Sequence, residues 1–228
     1  MYNVYAFDFD GTLTKRDTLI ELIRYAKGNC GLLAGFLRFS PMLLLMKLKV
    51  YPNYKAKQKI FAHFFRSMPI EVFNETCRRF AHDRRDIIRE DGIVELYRVL
   101  NEPEAHVLVM SASIDNWVRP FFELHAEPAC SSFEVVGTQV EVVDGRLTGR
   151  FLTKNCYGEE KVSRIRKICP DRADYRLQAY GDSRGDREML QWADRAYYQP
   201  FRKDCNHQAY EALRKAHYFK LWDSDEVD

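Results

Sequence analysis

The sequence predicts an α/β fold built on a mainly parallel sheet. Three observations lead there. Short β-prone runs end abruptly in polar or acidic loops, helical stretches separate these runs, and one long segment near the N-terminus shows no strand pattern. Strands alternating with helices are the mark of parallel βαβ units.

Val4-Tyr5-Ala6-Phe7 is apolar and meets Asp8 at once, so it reads as a buried strand running into a functional loop. From about Thr14 to Asp86 no strand is visible. Asp17 suits a helix N-cap, residues 18–27 a helix, and Gly28 the position past its end. Residues 54–66 and 70–81 also read as helices, with Pro52 and Pro69 where a missing N–H costs little. Residues 92–100 form the next helix. His106 to Met110 repeats the strand pattern and ends at Ser111-Ala112-Ser113. Residues 133–151 read as a hairpin decorating a sheet edge, turning at Asp144-Gly145. A helix over 160–168, a strand over 175–180 ending at Gly181-Asp182-Ser183, a helix over 187–193 and a weaker strand at 196–198 complete the chain.

Composition narrows the function. The chain has 228 residues, 46% hydrophobic and 30% charged, with a net charge of +2. That is a globular chain of one domain, or one plus an insertion, and it excludes disorder and a globally basic nucleic-acid binder. The six cysteines lie at least 13 apart with no C-x-x-C, which argues against zinc-ribbon spacing and a disulfide framework and for a reducing, cytosolic setting. No signal peptide is visible. Charge is uneven: residues 15–86 hold 15 Lys/Arg against 6 Asp/Glu, or +9, and the remainder is −7. Within the basic part, residues 31–50 are apolar on nearly every face but interrupted by Arg38, Ser40 and Pro41. Three readings stand for them: a membrane span, a buried helix, or a surface dipping into a membrane interface.

Chemistry-bearing residues sit at the strand ends. Asp8 and Asp10 flank Phe9; if strand geometry persisted through Asp10, both carboxylates would point to one face. Asp182 and Asp186 add two more carboxylates. Carboxylates this close attract a hard cation, and Mg²⁺ takes oxygen ligands. Ser111 ends another strand, where a following helix would offer N–H groups to an anion. Lys161 lies near a helix start. A hydroxyl, an ammonium and several carboxylates suit Mg²⁺-assisted phosphoryl transfer.

The ordered set DFDGTLT, VMSAS, GEEK and GDSRGD resembles the haloacid dehalogenase-like phosphatases, in particular the type IB branch that includes phosphoserine phosphatase. The resemblance covers Asp8 to Asp186. It implies a Rossmann-like three-layer core with a mainly parallel sheet, residues 1–13 and 87–228, and a helical cap inserted after the first strand, residues 14–86. It implies Asp8 as nucleophile, forming an aspartyl-phosphate, and Asp10 as the acid that protonates the leaving alcohol and then activates water. Mg²⁺ would be held by the Asp8 carboxylate, the Asp10 backbone carbonyl and Asp182, with Asp186 in support through water or Lys161. Ser111, Ala112 and Lys161 would bind substrate. Two departures from phosphoserine phosphatases stand out: Ala112-Ser113 where two glycines are usual, and Asp17 where a Glu reads the amino group of serine. Leu147-Thr148-Gly149 and the run from Asn155 to Lys161 also resemble bacterial phosphatidylglycerophosphate phosphatases. The expected substrate is therefore either a lipid phosphomonoester, met through peripheral contact of the cap with the anionic inner face of a membrane, or a soluble one. A phosphotransferase and a non-catalytic binding module are the remaining alternatives.

Overall fold

The computed structural model describes residues 1–48, 50–123, 128–203 and 207–215. Cys205 and the acidic run 223–226 lie outside the described residues.

β1 (Tyr2–Asp8) is the centre of a five-stranded parallel sheet. It is followed by a helical segment of α1 (Thr18–Lys47), α2 (Asn53–Phe65) and α3 (Ile70–Asp83). The chain returns through α4 (Glu90–Leu100), β2 (His106–Ile114), the short α5 (Asp115–Val118), β3 (Ser132–Thr138) and a hairpin of β4 (Val140–Val143) and β5 (Arg146–Phe151). It ends through α6 (Glu159–Ile168), β6 (Tyr175–Gly181), α7 (Arg187–Trp192), β7 (Arg195–Tyr198) and α8 (His207–Lys215). The strand order is β3-β2-β1-β6-β7. Alternation along the strands builds a core on each face. Tyr5, Phe7, Val107 and Val109 pack with Leu96 and Val99 of α4, while Val4, Ala6, Leu108 and Met110 pack with Val162 and Ile165 of α6. The result is the three-layer arrangement the sequence predicts.

Four local features differ from the sequence reading. The strand carrying Phe7 stops at Asp8, because Gly11 turns in the left-handed region (φ 85°) and Thr14 N–H closes a wide turn on Phe9 O at 3.0 Å. A Cβ at Gly11 would collide with the Asp182 carboxylate, so only glycine fits there. β2 continues past Ser111 to Ile114, and the helix after it has only four residues, so no helix N-terminus stands at Ser111. The segment predicted as a decorating hairpin splits: β3 is an edge strand of the main sheet, and β4–β5 joins the helical segment instead. There Ser67 N–H donates to Leu147 O (2.8 Å), Leu147 N–H to Met68 O (3.0 Å) and Phe151 N–H to Gln58 Oε1 (3.0 Å). Gly149, at φ 83°, lets β5 approach Ala62 of α2.

The fourth difference concerns α1. It does not end at Gly28 but breaks there (φ 71°, ψ 175°) and resumes to Lys47, with Pro41 inside it. Its second half is not a buried helix. Leu33 is 61%, Leu37 69%, Leu44 58% and Leu48 62% exposed. By length and composition α1 is apolar enough over Thr18–Met46 to cross a membrane.

Candidate active site

The strand ends of β1, β2 and β6 converge on one point, as ligand sites do in parallel α/β sheets. Asp8, the last residue of β1, is buried. Its Oδ1 accepts from Lys161 Nζ at 2.5 Å and its Oδ2 from Thr12 Oγ1 at 3.1 Å. Lys161 reaches in from the first turn of α6. Its ammonium spends its three donors on Asp8, Asp186 Oδ1 (2.6 Å) and Met110 O (2.9 Å). Asp186 Oδ2 accepts from the N–H groups of Asp182 (3.1 Å) and Ser183 (3.0 Å) and from Ser183 Oγ (3.0 Å).

Three carboxylates facing one ammonium leave excess negative charge in a dry place. Burial pushes the Asp8 carboxyl up to about 8 against the pull of Lys161, with Asp186 and Asp10 adding to the rise. Burial and the Asp186 charge raise Asp182. Burial alone would raise Asp186 too, but Lys161 and the Ser183 donors outweigh it and hold that carboxyl below its ordinary value. Burial would likewise lower Lys161, but Asp8 and Asp186 hold it above its ordinary value.

Oxygen atoms of Asp8, Asp182 and Asp186 lie within 4.8 Å of one another. Asp182 Oδ1 is buried and has no hydrogen-bond partner. A hard oxygen donor set with an unsatisfied buried carboxylate oxygen fits a divalent cation such as Mg²⁺.

Asp10 is held apart from that cluster. Its Oδ1 accepts from Thr18 N–H (2.7 Å) and Thr18 Oγ1 (2.6 Å), and its Oδ2 from Ser113 Oγ (2.5 Å) and, at 3.5 Å, Ser111 Oγ. Trp117 Nε1 donates to Thr18 Oγ1 at 3.0 Å. Ala112 O accepts from Lys57 Nζ at 2.9 Å and from Thr138 Oγ1 at 3.1 Å. Asp17 caps α1, accepting from Leu19 N–H (3.0 Å) and Ile20 N–H (3.2 Å), as the sequence predicts. Cys156, to which the sequence assigns no role, is buried nearby; the five described cysteines are free thiols.

The structure thus brings Asp8, Asp10, Ser111, Ala112, Lys161, Asp182 and Asp186 together. Sequence reasoning missed Thr12, Thr18, Ser113 and Lys57. Thr18 directly follows the predicted N-cap Asp17, which is the one signal that pointed at it.

A cleft of about 210 Å³ leads away from this site. Asp17, Lys57, Ala112 and Tyr157 line its inner end. Leu32, Phe36, Phe39, Leu43 and Met46 of α1 form one apolar wall, and Ile60 and Phe64 of α2 the other.

The comparisons with known proteins agree with this architecture. The protein CicA of Caulobacter vibrioides is 31% identical over 201 residues, covering 86% of each chain. A Bordetella pertussis Tohama I protein of unknown function shares the fold at a TM-score of 0.67 and 18% identity, over 95% of this chain and 97% of its own. A phosphoserine phosphatase from T. onnurineus does so at 0.54 and 20% identity, over 87% and 84%. Residues 5–191 match the family described as haloacid dehalogenase-like hydrolase. With β1, β2 and β6 and the site residues at and near their ends inside that match, the chain belongs to the haloacid dehalogenase-like hydrolase family.

Proposed function

We propose that the protein is a Mg²⁺-dependent phosphomonoester hydrolase that works through an aspartyl-phosphate on Asp8, with a lipid phosphate such as phosphatidylglycerophosphate as substrate. The observation that carries the catalytic part is the buried contact of Lys161 with Asp8 and Asp186, set one turn of chain from a separately held Asp10.

Asp8 Oδ attacks phosphorus in line with the ester oxygen. The P–O bond to the alcohol breaks, and Asp10 gives that oxygen its proton. Asp10, now ionised, takes a proton from a water that attacks the phosphorus of phospho-Asp8. Inorganic phosphate leaves and the Asp8 carboxylate is restored. A carboxylate nucleophile divides one hard hydrolysis into two easier steps, and one acid–base group can serve both. Lys161 orients Asp8 and faces phosphoryl oxygens, together with Ser111 and Ala112. Asp8, Asp182 and the Asp10 main-chain carbonyl would hold Mg²⁺, which would neutralise phosphoryl charge when bound.

The cleft supports the lipid part. We take residues 14–86 as the cap that closes the site, with 1–13 and 87–228 as the core. α1 is apolar on two faces: Leu32, Phe36, Phe39, Leu43 and Met46 line the cleft, while Leu33, Leu37 and Leu44 face outward, as does Leu48 just past its end. A helix apolar all round belongs in a core or against lipid. Exposed Arg38, Lys55 and Lys59 flank it, which suits the anionic inner face of a membrane. The test is a substrate screen with Mg²⁺, setting phosphatidylglycerophosphate and phosphatidic acid in mixed micelles against soluble phosphomonoesters and an aryl phosphate. The reading predicts that the lipids are preferred by at least tenfold in kcat/KM. A preference for soluble esters makes the protein a phosphatase of small metabolites, and absence of all turnover in folded, Mg²⁺-loaded protein leaves a binding module.

A further inference from the structure

Lys57 is one of the 15 Lys/Arg of the basic segment 15–86, and the structure turns it inward. Lys57 is half-buried on α2 and its Nζ stands 2.9 Å from Ala112 O and 3.5 Å from Ser113 Oγ. Ser113 in turn donates to Asp10. The ammonium therefore sits directly behind the group that meets the leaving oxygen. An ammonium has three donors, and the two acceptors it meets here are uncharged oxygens. Among the described residues no carboxylate lies within ion-pair distance of it. Asp17, the acidic group whose charge it feels, uses its Oδ1 on the α1 N-terminus. Lys57 thus has one donor beyond its two neutral acceptors, and Asp17 offers it charge only from beyond ion-pair distance, so an anion in the cleft would give it the direct charged partner it lacks among the described residues.

The order of groups along the cleft gives the chemistry of that anion. At the inner end of the cleft Lys57 stands with Asp17 beside the Ala112–Ser113 backbone that borders Asp10, and beyond Lys57 the walls are apolar from Ile60 to Phe36 and Met46. We propose that Lys57 is a specificity-determining residue that binds a second anionic group, a phosphodiester or carboxylate, lying a few bonds beyond the scissile ester oxygen. The substrate class is then a phosphomonoester with an internal negative charge between its phosphoryl head and its apolar part. The apolar part of this inference rests on the proposed lipid reading; the charge selection does not.

The experiment measures kcat and KM of the full chain, Mg²⁺-loaded, on two pairs of probes. The lipid pair is dioleoyl phosphatidylglycerophosphate, which carries the internal phosphodiester, and dioleoyl phosphatidic acid, which does not, both in mixed micelles. The soluble pair is 3-phosphoglycerate, which carries a carboxylate, and glycerol 3-phosphate, which does not. Wild type prefers the doubly anionic member. Lys57→Gln, checked for folding by its thermal transition, reduces that preference about 10–100-fold, the worth of a hydrogen bond to a charged group, and the change lies in KM. Lys57→Arg retains most of the preference. Equal loss on both members of a pair, or an unchanged ratio in folded Lys57→Gln, overturns the proposal and leaves Lys57 as a latch between α2 and the Ser111–Ser113 loop. If neither lipid is cleaved while soluble esters are, the lipid reading fails and the soluble pair alone decides the role of Lys57.

Discussion

Thr18, the first residue of α1, gives both its backbone N–H and its hydroxyl to one oxygen of Asp10, at 2.7 and 2.6 Å. The helix that carries the exposed apolar face therefore begins on the proposed general acid. Trp117 Nε1 fixes the Thr18 hydroxyl from the other side, so the orientation of Asp10 depends on packing between α1 and α5.

Thr18→Val keeps the backbone bond and removes the hydroxyl. It should slow cleavage of alkyl phosphates about tenfold or more, the worth of a hydrogen bond to a charged group. Asp10→Asn should slow them by about 10²–10⁴, the usual contribution of an acid–base group. Both losses should shrink for an activated aryl phosphate, whose leaving group needs no proton. Rapid-quench rates of the first, phosphorylating step check this. Equal losses on alkyl and aryl esters contradict the acid role.

Removal of the metal should expose the titration of Asp8. Its folded pKa, about 8, lies above its ordinary value of 3.8, so the folded state binds the extra proton. The stability this adds is complete below the ordinary value and is lost as pH rises through about 8. Asp186 acts in the opposite sense, losing stability as pH falls through the acid range. In chelator, the melting temperature should fall between pH 6 and 8.5, and Asp8→Asn should flatten that slope. Because a bound cation needs the ionised carboxylate, Mg²⁺ should raise the melting temperature more at pH 8 than at pH 6. An equal Mg²⁺ effect at both pH values would falsify the carboxylate assignment.

Vesicle binding should depend on the outer face of α1. Leu33, Leu37 and Leu44 are exposed and do not line the cleft. Replacing two of them by Asp should weaken co-sedimentation with anionic vesicles by about 10²-fold or more, since burying each leucine is worth about 1.5–3 kcal/mol. Neutralising Arg38, Lys55 and Lys59 should weaken it further, and high salt should mimic that change. The neighbouring Lys57 faces Ala112 instead, so neutralising it should leave vesicle binding nearly unchanged. A protein that stays in the supernatant at low salt has no membrane-facing surface here.

The legible part of this fold was local. The apolar strands β1 and β6 run straight into acidic loops, so Asp8 and Asp182 could be placed at strand ends from pattern alone, whereas Ser111 lies inside β2, three residues before its end. Lys161 came through its short motif, although 153 positions separate it from Asp8. What stayed hidden depends on packing between distant segments. Nothing in the composition of 133–151 says that Leu147 pairs with the turn at Ser67 and Met68 rather than with the sheet. An apolar run such as 31–50 reads alike whether its leucines meet a core, a cleft or water. Lys57 sits among four nearby lysines of identical character, and the packing of α2 against α1 and β5 turns it inward to Ala112.

The most direct test of the account is the trapping of phosphorylated Asp8. The Mg²⁺-loaded protein is mixed with substrate, quenched in acid during turnover, reduced with borohydride and mapped by mass spectrometry. The account predicts that reduction modifies residue 8 alone, in wild type and more abundantly in Asp10→Asn if dephosphorylation is slowed, and that Asp8→Asn shows neither modification nor turnover. Near-normal turnover by folded Asp8→Asn, or a phosphoryl group trapped on another residue, would contradict it.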